Sequence, residues 1–255
     1  MSRVVSVVAS LCVLAACAGP QVHRSESYNA RKALAREMVR RAEWPGAFAT
    51  VNALHREDPA DPETLVLRGI VYREQKLLGE AEADLQEAVR LREEDASAQS
   101  NLAIVLDQQG RRDEALVHHR RAAELEPKNA QYMNNVGFAL LVRGQKQRAI
   151  EVLQRALSLD PTSPRIRNNI GFAYAAVGNF PKAAEQFQLS GRPAEARNNL
   201  GVAYQTAGNL GQAYEAYVEA LRLDPKLSRA RQNLREVAER LRRPVPPDLM
   251  AAPES

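Results

Sequence analysis

The sequence predicts an all-α solenoid, a row of helical hairpins stacked side by side, and three observations carry that reading. The 255-residue chain is 45% hydrophobic but only 5% aromatic. Ala, Leu, Arg, Glu and Gln dominate it; these are helix formers, whereas sandwiches and barrels need aromatic and β-branched residues. From Tyr28 onward the sequence matches itself at a shift of 34 residues, as Asn134-Asn-Val-Gly-Phe-Ala139 and Asn168-Asn-Ile-Gly-Phe-Ala173 show. Inside each repeat, a turn signal separates two helix-length segments.

The chain opens with Arg3 and then thirteen almost wholly apolar residues, Val4 to Ala16. A spanning helix needs about 20 residues, so this run has the size of a secretory signal instead. It ends at Leu14-Ala15-Ala16-Cys17, which resembles the bacterial lipobox. The resemblance implies a signal peptide over 1–16, cleavage before Cys17, and acylation of its thiol and new amino group. Three acyl chains anchor a protein where one holds it only marginally. Ala18 rather than Asp follows the cysteine, which by the same resemblance implies the outer membrane of a Gram-negative envelope. A plain signal peptide cut after Ala16 or Ala18 is the alternative. Cys12 falls in the removed part, so the mature chain has one cysteine and no internal disulfide. Residues 17–27 read as lipidated cysteine and short linker.

Six units follow: 28–61, 62–95, 96–129, 130–163, a short 164–193, and 194–227. Counting each unit from its first residue, Gly110, Gly144, Gly178 and Gly208 all fall at position 15, where a helix must stop. Position 8 is small (Ala35, Gly69, Ala103, Gly137, Gly171, Gly201), and position 20 is always Ala. Position 24 is mostly large: Val51, Leu85, His119, Leu153, Phe187 and Tyr217. Helices this short are marginal alone, so each unit depends on its neighbours. This small–large code resembles the tetratricopeptide repeat. The resemblance implies a right-handed superhelix of about six helix-turn-helix repeats. Ser228 to Arg243 reads as a seventh first helix without a partner, a capping helix over 228–243. Pro244-Val-Pro-Pro247 ends it, and 244–255 reads as a disordered tail. The fifth unit lacks four residues, about one helical turn, before Ala194; the reading is a tolerated deletion or a local change of pitch.

In the resembled fold, positions 2, 6, 9 and 13 of the first helix line a concave groove. Position 6 carries Asn101, Asn135, Asn169, Asn199 and Asn233, and position 5 adds Asn134, Asn168 and Asn198. Position 9 supplies an apolar stripe of Ile104, Phe138, Phe172 and Val202. Asn inside a helix costs roughly 0.5 kcal/mol relative to Ala, so a ladder of them asks for a reason. A side-chain amide offers donor and acceptor together and so matches a peptide group. The ladder is similar to that of O-GlcNAc transferase's tetratricopeptide region. Two readings stand: the amides grip a partner backbone in the groove, or they bond neighbouring helices and hold the stack.

The net charge of +4 is spread out, so no nucleic-acid partner is expected. Locally, 56–95 carries twelve acids against six bases, while 24–41 and 228–243 carry six bases against two acids each. These read as solvated faces, the acidic second unit adding weak steering of a partner. The sequence has no phosphate loop and no Gly-x-Ser-x-Gly elbow. His118 and His119 are adjacent and point to different faces, so a metal site is not expected, and His119 falls at a core position. No enzyme, cofactor or small-molecule substrate is therefore expected. The chain reads as a membrane-anchored adaptor with a protein partner. The architecture resembles tetratricopeptide lipoproteins of the TadD type and the pilotins of type IV pili, which implies a secretin or pilus-assembly subunit as partner. An adaptor that recruits cell-wall hydrolases or other envelope enzymes is the alternative.

Overall fold

The structure, a computed structural model, describes residues 26–250. The lipobox, the acylation site Cys17, the signal peptide and residues 251–255 lie outside the described residues. Among the described residues there are fourteen helices and no strand. They run as antiparallel pairs: α1 (Glu26–Arg40) with α2 (Trp44–Glu57), α3 (Pro62–Glu74) with α4 (Leu78–Leu91), α5 (Ala96–Gln108) with α6 (Arg112–Leu125). Then come α7 (Ala130–Val142) with α8 (Lys146–Leu159), α9 (Pro164–Ala176) with α10 (Phe180–Leu189), and α11 (Pro193–Thr206) with α12 (Leu210–Leu223). α13 (Ser228–Leu241) and the short α14 (Pro247–Met250) close the chain.

Local chemistry sets the ends of these helices. Pro62, Pro164 and Pro193 open α3, α9 and α11, where a missing N–H is harmless and φ is already helical. At α5 and α7 the side chains of Asp95 and Asn129 accept from the first free backbone N–H groups, Ala98 N at 3.0 Å and Gln131 N at 3.1 Å. Each hairpin turns through one left-handed residue. Gly144 has φ 75°, and the following N–H, of Gln145, reaches back to Leu140 O at 2.9 Å. The same bond closes the first two hairpins, Glu43 N to Met38 O and Leu77 N to Tyr72 O, both 2.9 Å. There the left-handed residue is Ala42 (φ 57°) or Lys76 (φ 65°), not glycine.

Packing follows the small–large code. A Cβ placed on Gly137 would lie 2.5 Å from Leu153 Cγ, and one on Gly201 2.5 Å from Tyr217 Cε1. The first and second helices of a unit therefore approach until only hydrogen fits between them. Where position 8 is Ala (Ala35, Ala103), position 24 of the same unit is Val51 or His119, and all four are buried. The core is consequently a chain of small clusters, each shared by neighbouring units, as a solenoid requires.

The first junction is polar. Asp61, 1% exposed, accepts from Tyr28 Oη at 3.0 Å, Thr64 Oγ1 at 2.7 Å and Lys32 Nζ at 3.1 Å. Lys32 Nζ also lies 3.2 Å from Glu63. Burial, with Asp61 beside it, pushes the Tyr28 hydroxyl up to about 12, so it stays a donor at neutral pH.

One expectation fails at the C-terminus. The Pro-rich segment folds back and does not trail as a disordered tail, at least as far as Met250. Tyr214 Oη donates to Pro244 O at 2.7 Å, and Arg243 stacks on the Tyr214 ring at 3.9 Å. Leu249 is buried against the α12–α13 cluster. Apolar surface that α12 and α13 share draws the segment in.

Candidate partner-binding face

The first helices of successive units touch one another directly, α7 with α9, α9 with α11 and α11 with α13, and this makes their shared face the inner, tighter side of the stack. The asparagine ladder runs along it, and its hydrogen bonds join the units. Asn135 Nδ2 donates to Ser100 Oγ at 3.3 Å, Asn169 Nδ2 to Asn134 Oδ1 at 2.8 Å, and Asn199 Nδ2 to Asn168 Oδ1 at 3.2 Å. Asn233 Nδ2 repeats the contact with Asn198 Oδ1 at 3.2 Å, which ties the capping helix to the sixth unit. At the other end Asn101 turns back on Ser97 O at 2.9 Å and accepts from Arg73 Nη1 at 2.9 Å.

Of the two readings of the ladder, these bonds follow the stack. Asn134 has no exposed surface and Asn198 only 8%, so neither offers a surface to a partner. The correction has a physical reason: in these two units position 5 points into the seam between first helices, where an uncompensated amide is costly, while Asn168 at the same position stays half-buried. The position-6 residues are half-buried. Among the described residues, no hydrogen bond within the chain engages Oδ1 of Asn135, Asn169, Asn199 or Asn233. The inner face thus keeps a row of acceptors.

Beside them the apolar stripe is present. Phe138 is 46% exposed, and Ile104, Phe172 and Val202 are half-buried. Phe172 is braced edge-on by Phe187, ring centroids 4.9 Å apart. Next to it opens a pocket of about 350 Å³, floored by Leu141, Phe172, Ala175 and Ala203 and edged by Lys146 and Thr206. Leu141, Ala175 and Ala203 were not singled out from the sequence. The signal for them was the run of small residues late in α9 and α11, which leaves room where other units carry bulk. Val142, 40% exposed, extends the apolar surface beyond Phe138.

His118 and His119 are held by neighbouring side chains. His119 is 3% exposed and its Nε2 lies 3.0 Å from Asp107 Oδ2; His118 Nδ1 lies 2.7 Å from Gln99 Oε1. Burial lowers the affinity of His118 for a proton. Among the described residues no cluster of His, Cys, Asp or Glu could hold a metal ion, and no helix is long and apolar enough to cross a membrane.

Family comparisons agree with this geometry. A TPR repeat profile matches residues 139–178, and tetratricopeptide repeat profiles match 194–227, 64–94 and 96–125. The chain is built of tetratricopeptide repeats. Several solved structures share the fold. Pseudomonas aeruginosa PilF, described in a functional characterisation, superposes with a TM-score of 0.65 at 17% identity, over 83% of this chain and 98% of its own. YrrB, described as a TPR protein with an unusual peptide-binding site, gives 0.53 at 23% identity, over 71% and 95%. The MamA protein gives 0.53 at 23% identity, over 65% and 90%. At these identities the likeness is one of fold. No curated protein matches the sequence. A tetratricopeptide scaffold of this kind is a protein–protein interaction module.

Proposed function

We propose that this tetratricopeptide chain is a lipid-anchored adaptor of the outer membrane, and that its inner face holds a secretin or pilus-assembly subunit. The observation that carries the binding reading is the open apolar surface from Phe138 and Val142 to the Phe172 pocket, beside the Oδ1 row. A contiguous apolar surface rimmed by polar groups is the usual mark of a protein-binding site. The Asn Oδ1 atoms supply acceptors for the backbone N–H groups of an extended segment, and the pocket takes one apolar side chain from it.

Anchoring rests on Leu14-Ala15-Ala16-Cys17, and the pilus assignment on the lipobox together with the likeness of fold to PilF over 83% of this chain. The test is co-purification from membranes of three forms: wild type, Cys17→Ser and Phe138→Asp. Recovery of a secretin or pilin subunit with wild type, lost with Phe138→Asp and displaced to the soluble fraction with Cys17→Ser, is the expected result. Recovery of cell-wall hydrolases alone would replace the pilus assignment with the hydrolase-recruiting one.

A further inference from the structure

The outer side of the junction between the fifth and sixth units lacks a piece that other junctions possess. α10 has 10 residues where α8 and α12 have 14. Elsewhere the last turn of a second helix lies over the next unit: Val89, at position 28, packs on the cluster shared by α4 and α5, and Leu157 likewise at the α8–α9 junction. The carbonyl that ends this segment, at position 32, is received by the next unit's position-4 side chain. Gln99 Nε2 donates to Glu93 O at 3.0 Å, Arg167 Nη2 to Pro161 O at 2.8 Å, and Arg231 Nη2 to Pro225 O.

In the sixth unit, position 4 is Arg197; the preceding unit has Gly191, past the end of α10, at position 28 and no position 32 to offer it. A cleft of about 440 Å³ lies open there, walled by α11, α12 and Arg243, with no residue of α10 in its lining. Its floor is Leu200 and Ala216. Ala216 also removes the partner that position 4 finds in its own unit, where Gln99 meets His118 and Arg167 meets Gln186. Arg197 turns instead to Glu219, at 3.2 Å, and both side chains stay more than a third exposed. At the cut end of α10, Leu189 is 54% exposed where four other units carry Glu87, Arg121, Arg155 and Glu219.

We propose that this outer cleft is a second docking site, distinct from the inner groove, and that it receives the C-terminal turn of a partner's α-helix with the two residues that follow it. The internal copies define the occupant. An aliphatic side chain lies over Leu200 and Ala216, and a backbone carbonyl four residues later accepts from Arg197. The negative end of the incoming helix dipole meets the guanidinium, so charge and shape select the same end of the helix.

The chain supplies its own probe. A labelled peptide of residues 150–163, amidated at its end, is the segment that covers the matching cleft of the fifth unit. Titrated against the full-length protein in detergent micelles, it binds saturably below about 1 mM by fluorescence anisotropy. Arg197→Ala weakens it by about tenfold, the worth of a charge-assisted hydrogen bond. Ala216→Trp fills the cleft and abolishes binding, as does insertion of four residues after Leu189 to restore the missing turn. A peptide with Leu157→Lys does not bind, a control that leaves the protein unchanged. Phe138→Asp, which disables the inner groove, has no effect on this probe. The proposal is overturned if the wild type shows no saturable binding. Binding that survives Ala216→Trp or the insertion in a protein of unchanged helicity overturns it too, as does binding that vanishes with Phe138→Asp.

Discussion

Asn169 donates its Nδ2 hydrogen to Asn134 Oδ1 across 2.8 Å, and this bond links the first helices of the fourth and fifth units. Asn134 is fully buried, so its amide depends on that neighbour and its own Nδ2 has no partner. Removing Asn169 leaves the Asn134 oxygen buried and unpaired, at a cost of about 1–3 kcal/mol. Asn169→Ala is expected to lower the urea midpoint accordingly. Asn233→Ala, at the end of the ladder, is expected to disturb only the capping helix. Hydrogen exchange resolved by repeat distinguishes the two, because a solenoid loses stability locally.

Two of the hairpin turns carry a correctable strain. Ala42 and Lys76 sit at φ 57° and 65°, where a Cβ costs roughly 1–2 kcal/mol and glycine pays no such penalty. Lys76→Gly is expected to stabilise the second unit by about 1 kcal/mol, worth a rise of some 2–4 °C in melting temperature. The reverse change, Gly144→Ala, should lower it by a similar amount. A melting curve of each variant checks the pair.

The fit of Gly137 to Leu153 predicts a non-additive pair. Gly137→Ala places a methyl 2.5 Å from Leu153 Cγ and is expected to destabilise by about 1–3 kcal/mol. Leu153→Val alone removes a buried methylene group, at about 1 kcal/mol. Combined, they recreate the Ala35–Val51 pairing of the first unit, so the double variant should be more stable than the sum of the singles allows. A double-mutant cycle in urea gives the coupling.

Most of the scaffold was legible because a solenoid's packing is local. The step from Gly137 to Leu153 repeats at Gly69 and Leu85, so one period of sequence contains one period of core. The ladder was only half legible. An amide at position 5 and one at position 6 look alike in sequence, and a hydrogen-bonding group serves a partner or a neighbouring helix equally well. Only the burial of Asn134 against the half-exposure of Asn135 separates them. The open cleft was readable as four missing residues, but not as a lost carbonyl for Arg197, because that contact joins one unit to the next. The fold-back of Leu249 left no mark on any periodicity, since its partners on α12 and α13 are fixed by the end of the stack.

Acid should open the molecule at its first junction. Burial alone would raise the Asp61 carboxyl, but the hydrogen bonds from Thr64, Lys32 and Tyr28 and the charge of Lys32 outweigh it and hold it below its ordinary 3.8. Glu63 is lowered in the same way, burial opposing the bonds from Arg36 and Lys32. A carboxylate depressed in the folded state contributes stability that is present above its unfolded pKa and is lost as the pH falls through the folded one. Hydrogen exchange at pH 7 and at pH 3 is expected to show α1 losing protection at the lower pH before the central units do. Lys32→Met should weaken the junction already at pH 7 and flatten the acid response. Equal loss along the whole stack would contradict the assignment.

The folded-back C-terminus should behave as a lid on the last pair. Truncation after Arg243 removes the Pro244 carbonyl from Tyr214 Oη and uncovers the surface under Leu249. One hydrogen bond and one buried leucine together are worth about 2–4 kcal/mol. Because each unit is coupled chiefly to its neighbours, the loss is expected in α12 and α13, with α3 and α4 unaffected. Leu249→Asp, which keeps the chain length, should reproduce most of the effect, separating the contact from any role of the residues beyond it. Unchanged exchange in α13 after truncation would mean that the segment contributes nothing to the cap. A truncated protein that also self-associates, by light scattering, would show that the lid shields an apolar stack end from a second copy.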